Sequence, residues 1–104
     1  MDVLAVQGQL REFARTRGWS NLCTPKNLAM AVAGEAGELL AEFQWLTPQE
    51  SQDLQPGTLD QVREEIADVA IYLLQLADVL EVDLAEAIQE KMAINHRKHP
   101  ALPR

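Results

Sequence analysis

Four carboxylates in two short segments set the chemistry open to this chain. Gly34-Glu35-Ala36-Gly37-Glu38 and Glu65-Ile66-Ala67-Asp68 each carry two acids three residues apart inside an otherwise apolar run. On a helix three residues turn through about 300°, so each pair projects to one side. The first register reads Leu28, Val32, Glu35, Leu39, Glu42, Leu46, and the second Val62, Glu65, Val69, Tyr72, Leu76, Val79. Steps of three and four residues write a buried helix seam, so Glu35 and Glu65 stand where a plain bundle would carry Leu or Ile. A solvated face accounts for either pair alone; it does not account for two pairs that both fall in the apolar register. Two like charges about 4 Å apart repel by roughly 4 kcal/mol at an effective dielectric near 20. Four converging carboxylates must therefore hold protons or collect a cation. The pattern predicts a carboxylate-only metal site of Glu35, Glu38, Glu65 and Asp68.

The ligand types narrow the metal. A di-iron bundle needs Glu-x-x-His on two helices, whereas the only histidines here, His96 and His99, lie in the C-terminal tail. Zinc would call for imidazole or thiolate. All-oxygen ligation suits Mg²⁺, with Mn²⁺ able to substitute, and Mg²⁺ commonly joins carboxylates to substrate phosphates. The implied ligand is a phosphate ester such as a nucleoside polyphosphate. Trp19 before the second helix, Trp45 at its end and Tyr72 one turn beyond Asp68 offer faces on which a base would gain about 1–3 kcal/mol by stacking. The plain alternative for Trp45 and Tyr72 is a place in the core. On the fourth helix Leu84, Ile88, Lys91 and Asn95 share one stripe, which directs Lys91 and Asn95 to the buried side and toward phosphate. Arg97 and Lys98 already complement a helix C-terminus, and Glu42 shares the acidic seam; neither observation decides whether these three join the site.

The elements that must position these groups read as helices. At 104 residues, 47% hydrophobic and 5% aromatic, the chain is expected to form one domain, residues 1–104, with one modest core. Residues 2–17 form a first amphipathic helix with Val3, Val6, Leu10, Phe13 and Ala14 inward, stopped by Gly18. Thr24-Pro25 caps a second helix running to about Trp45. Residues 47–58 are the one long connection; Thr47-Pro48 with Glu50 starts a short helical turn and Pro56-Gly57 ends it. Thr58 and Gln61 form a capping pair for a third helix ending near Leu80, and Asp83 with Glu86 opens a fourth that ends near residue 97. No strand signal appears. The predicted fold is an all-α four-helix bundle with one long crossover loop. Gly34 and Gly37 each weaken a bare helix by about 1 kcal/mol, which makes sense if a ligand or another backbone approaches there.

A net charge of −7 argues against a nucleic-acid backbone or an anionic membrane as partner. With one cysteine, Cys23, no internal disulfide is possible, and the absence of a signal or spanning segment in the sequence predicts a cytoplasmic protein.

Taken together, Trp19, Thr24-Pro25-Lys26-Asn27-Leu28, Gly34-Glu35-Ala36-Gly37-Glu38-Leu39, Phe43-Gln44-Trp45, Glu65-Ile66-Ala67-Asp68-Val69 and Lys91, Asn95, Arg97-Lys98 and Pro100 resemble the MazG-like all-α nucleoside triphosphate pyrophosphohydrolases, and among them the dCTP pyrophosphatase branch. That resemblance implies hydrolysis of a (deoxy)nucleoside triphosphate, dCTP or a related pyrimidine nucleotide, to the monophosphate and pyrophosphate. It makes Glu35, Glu38, Glu65 and Asp68 the Mg²⁺ ligands, with one carboxylate orienting the attacking water. Trp19, Trp45 and Tyr72 would line the base pocket with Asn27 at its edge, and Lys91 with Asn95 would approach phosphate or sugar. It also implies a homo-oligomer, a dimer or a dimer of dimers. One position departs: the dCTP-preferring branch tends to carry His two residues before the proline, and this chain has Cys23, which predicts looser base choice. The competing readings are dUTPase-like specificity and a non-catalytic, metal-dependent nucleotide-sensing or interaction module.

Overall fold

The computed structural model describes residues 1–103, which contain helices and no strand. In chain order these are α1 (Val3–Thr16), a 3₁₀ turn (Ser20–Leu22), α2 (Pro25–Ala41), α3 (Pro48–Ser51), α4 (Pro56–Val79) and α5 (Leu84–Lys98). The four main helices are those expected, and the short turn in the connection is α3. There Thr47 Oγ1 accepts from the Glu50 amide and the Glu50 carboxylate from the Thr47 amide, a complete capping box.

Two boundaries differ from the sequence reading. Proline occupies the first turn of α2, α3 and α4 alike, where its missing N–H removes a donor that has no helical partner. Pro56 therefore opens α4 rather than closing the preceding turn. The expected capping pair does not form: Gln55 is the N-cap, and Gln61 instead donates to Glu65 within the helix. At its other end α2 stops at Ala41, so residues 42–46 are turns and Trp45 lies beyond the helix.

α4, about 36 Å long for its 24 residues, is the spine. α2 packs along it most extensively and α1 crosses the same helix near its C-terminal half. Leu28, Val62, Leu74, Ala77 and Ala14 are the buried apolar side chains, one or more from each of these three helices. α2 and α4 run antiparallel. Leu28 and Ala31 share a cavity with Tyr72 and Gln75, whereas farther along α2 Glu35 and Glu38 meet Glu65. A polar contact fixes α1: Gln7, 4% exposed, donates from Nε2 to the Leu74 carbonyl at 2.8 Å. The apolar stripe assigned to α1 left this residue out.

Both α1 and α4 end in the same reversal. The Trp19 amide reaches the Ala14 carbonyl at 2.8 Å and the Gly18 amide that of Arg15 at 3.1 Å, with Gly18 at φ 70°. The Val82 amide reaches Ala77 at 2.8 Å, with Glu81 at φ 56°. These are Schellman closures, which need a left-handed residue just past the helix. The second leads into α5. No residue of α5 is buried, and it makes no extensive packing with another helix among the described residues. Lys91 and Asn95, expected on a buried side, are exposed within the single chain.

Candidate active site

The antiparallel crossing of α2 and α4 sets two acidic pairs face to face. Ligand-capable oxygens of Glu35, Glu38 and Glu65 all lie within 4.8 Å of one another. Glu65 is 6% exposed, Glu35 and Asp68 are half-buried, and Glu38 is exposed at the mouth. Seam position explains the order: Glu35 and Glu65 replace core residues, and their partners three residues on sit toward the rim.

The cluster behaves electrostatically as a site rather than a surface. The Glu35 carboxyl is pushed up to about 7, first by burial, then by its hydrogen bond with Glu38, and further by the negative charges of Glu38, Asp68 and Glu65. Glu65 is held in place, because Gln61 Nε2 donates to its Oε1 at 2.8 Å. Its Oε2, and Oε2 of Glu35, are buried without any hydrogen-bond partner. Buried acceptors without donors are rare and costly, and two of them on facing helices fit a cation. The donor set is all oxygen, which suits a hard divalent ion.

One to two turns from the acids along the same two helices lies a cavity of about 400 Å³ lined in part by Phe13, Trp19, Asn27, Tyr72 and Gln75. The Schellman closure of α1 delivers Trp19 to it. Phe13 braces the indole edge-on at 5.9 Å between ring centroids, and the Arg17 guanidinium covers the Phe13 ring at 3.4 Å. Thr24 caps α2 by accepting from the Asn27 amide at 3.2 Å, and Asn27 Nδ2 donates to the Leu22 carbonyl at 3.0 Å.

Of the residues singled out from sequence, Glu35, Glu38 and Glu65 bring oxygens together, Asp68 lies outside that set although its charge acts on Glu35, and Trp19, Asn27 and Tyr72 share the aromatic cavity. Trp45 does not join them. It is 88% exposed and lies past the C-terminus of α2, whereas Trp19 precedes its N-terminus; 17 helical residues put about 26 Å between those ends. Lys91 and Asn95 are exposed on α5, and neither lines the aromatic cavity nor belongs to the acidic cluster. Phe13, Gln61 and Gln75 were not foreseen. Gln61 carried a usable signal, being four residues before Glu65 on one helix face.

A model of the MazG-like family matches residues 31–103, which include all four acids. The chain belongs to the MazG-like family. It is 45% identical over 92 residues to human dCTP pyrophosphatase 1 and 42% identical over 91 residues to the rat protein of that name. Each alignment covers 86% of this chain and 54% of the relative, so the chain spans about half the length of these curated relatives. A crystal structure of a pyrophosphatase from Archaeoglobus fulgidus DSM 4304 superposes with a TM-score of 0.85 at 46% identity, covering 90% of this chain and 88% of the other. The likeness to dCTP pyrophosphatases and the all-helical MazG-like fold agree with the resemblance drawn from the motifs.

Proposed function

We propose that this chain hydrolyses pyrimidine deoxynucleoside triphosphates, dCTP foremost, to the monophosphate and pyrophosphate, using Mg²⁺ or Mn²⁺ held by Glu35, Glu38, Glu65 and Asp68. The observation that carries the proposal is the pair of buried, partnerless oxygens, Glu35 Oε2 on α2 and Glu65 Oε2 on α4, in residues that cluster with Glu38 within 4.8 Å. The human and rat relatives are named dCTP pyrophosphatase 1 and the archaeal one a pyrophosphatase, which supports the reaction class.

A divalent cation bound there would supply Lewis-acid polarisation of the phosphates and a water of lowered pKa. The chain's own groups do the rest. Gln61 fixes Glu65 so that one oxygen is committed and the other is presented inward. Whichever carboxylate stays off the cation orients water toward the α-phosphorus. The bond between that phosphorus and the α,β-bridging oxygen breaks; the water's hydroxyl stays with the monophosphate, and pyrophosphate leaves. Trp19 and Tyr72 grip the base by its faces, which secures binding without choosing strongly among bases. A chain of net charge −7 would repel a triphosphate were the acids not neutralised.

The working form is a homo-oligomer. The radius of gyration is 16.9 Å, against about 13 Å for a compact domain of this size. Ile88 and Met92 of α5, and Leu40, Trp45, Ile66 and Leu73, are exposed. Among the described residues nothing beyond its own helix comes within 4 Å of a Cβ added at Gly34 or Gly37, so this surface of α2 is open to substrate or to another copy. Lys91, Asn95 and Trp45 reach a nucleotide only across such a boundary.

The test is to incubate pure protein with a panel of nucleoside triphosphates and Mg²⁺ or Mn²⁺ and to assay pyrophosphate. Release from dCTP, abolished by EDTA, is expected. Nucleotide binding without pyrophosphate from any triphosphate would instead establish the sensing module.

A further inference from the structure

Three glutamines lie close to α4's working face, and two are already engaged. Gln7 is spent on the Leu74 carbonyl and Gln61 on Glu65, each at 2.8 Å. Gln75 is half-buried, lines the aromatic cavity, and has no hydrogen bond to its carboxamide among the described residues. It stands three residues beyond Tyr72 and seven beyond Asp68, hence on the same side of α4 and about 10 Å from the acids. The neighbouring polar groups are less available. Asn27 Nδ2 is committed to the Leu22 carbonyl at 3.0 Å, and Cys23 Sγ points to the Trp19 carbonyl at 3.6 Å.

Resting on the pyrophosphohydrolase reading above, we infer that Gln75 is the residue that reads the hydrogen-bonding edge of the base. A primary amide carries both an acceptor and two donors. Turned one way it accepts from the 4-amino group of cytosine and donates to N3. Turned the other way it donates to the 4-oxo group of uracil and accepts from N3–H. Nothing pins Gln75 in one orientation, so it serves both rings. Asn27 is held in one orientation by its bond to the Leu22 carbonyl, so it cannot turn over to suit both bases. The substrate class that follows is pyrimidine deoxynucleoside triphosphates taken with little regard to the 4-substituent, dCTP and dUTP lying within about tenfold of each other in kcat/KM. A site whose amide is locked discriminates far more sharply, because the mismatched base leaves a buried group unpaired.

The experiment compares the parent with Gln75→Met and Gln75→Ala on dCTP, dUTP and a baseless deoxyribose triphosphate. Loss of the edge bonds should raise KM for both dCTP and dUTP roughly tenfold, leave kcat unchanged, and leave the baseless compound unaffected. A purely structural role would move all three alike. Thermal unfolding identifies a variant that fails to fold, in which case the other variant decides. Equal effects on all three compounds, no effect on any, or a parent preference for dCTP over dUTP above about a hundredfold would overturn the inference. If the parent releases no pyrophosphate, the hydrolase reading fails separately. Equilibrium dialysis with the α,β-imido analogues of dCTP and dUTP then still tests Gln75: a tenfold loss of affinity in the variants supports it, whereas unchanged affinity or no binding by the parent refutes it.

Discussion

Replacing Glu38 with Gln separates a metal site from an ordinary polar cluster. Glu38 is exposed, keeps its shape on substitution, and has oxygen within 4.8 Å of both Glu35 and Glu65. At that distance two charges repel by about 3.5 kcal/mol at an effective dielectric of 20 and by about 0.9 kcal/mol in bulk water. Exposure of Glu38 places the Glu38–Glu65 interaction near the lower figure, about 1 kcal/mol. Removing it should stabilise the metal-free protein by that amount, raising Tm by about 4–8 °C for a domain of this size. Mg²⁺ should act unequally on the two proteins. The parent gains stability as RT ln(1 + [Mg²⁺]/Kd), about 2.7 kcal/mol at a hundred times Kd. Glu38→Gln, short of one ligand charge, should gain much less and release pyrophosphate far more slowly. The assay is thermal unfolding at pH 8 in EDTA and over a Mg²⁺ series, paired with turnover. A Glu38→Gln variant that melts lower than the parent in EDTA, or shows the parent's full Mg²⁺ shift, would refute the reasoning.

Three further outcomes are expected. Because folding lifts the Glu35 carboxyl from 4.5 to about 7, the folded state holds a proton that the unfolded chain releases; this contribution is present in full below about pH 4.5 and is lost as pH rises to 7. Metal-free Tm should therefore fall between pH 5 and 7.5, and saturating Mg²⁺ should remove that fall. Gln7→Ala breaks the buried bond to Leu74 and leaves a gap, which should cost about 1–3 kcal/mol, read as a lower denaturant midpoint with unchanged slope. Trp19→Ala should raise KM for every accepted nucleotide by a factor corresponding to about 1–3 kcal/mol, whereas Trp45→Ala, at a residue 88% exposed, should leave the unfolding of the single chain unchanged and raise KM only in the oligomer.

The acids were legible because burial is periodic and charge in a buried register is conspicuous. Glu65 is among the most buried side chains of the molecule, as its place between Val62 and Val69 implies. Helix starts followed from local chemistry wherever Thr precedes Pro. Pro56 was misread because Gln55, before it, makes no side-chain cap and nothing else marked the start. The end of α2 was invisible for a different reason. Leu46 continues the seam spacing after the helix has stopped, since a turn can still return a side chain to the core, so periodicity overran the helix and drew Trp45 with it. Gln7 and Gln75 look alike in sequence as polar residues on partly apolar helices. What distinguishes them is whether a carbonyl of another helix lies within reach, and only the tertiary arrangement decides that.

The arrangement along α2 and α4 also bears on why a nucleotide, rather than any pyrophosphate ester, suits this molecule. The acidic cluster and one wall of the aromatic cavity sit on the same two helices, so the separation between them is set there by helical rise, while Phe13 and Trp19 close the cavity from α1 and the turn after it. From Asp68 to Tyr72 and Gln75 the rise is about 6 and 10 Å, and from Glu35 back to Ala31 and Leu28 the facing helix repeats it. Helices packed over this length do not stretch, and a ligand must span the interval between acid and aromatic to use both. A base joined through a sugar to its phosphates does so; inorganic pyrophosphate engages the acids alone and leaves the aromatic cavity empty. Trp19, Tyr72 and Gln75 would then hold the base while the acids hold the phosphates, so a nucleotide gathers affinity from both ends at once. On the proposed reading the aromatic cavity serves affinity and the acids serve turnover, so a ligand without a base loses the first and keeps the second.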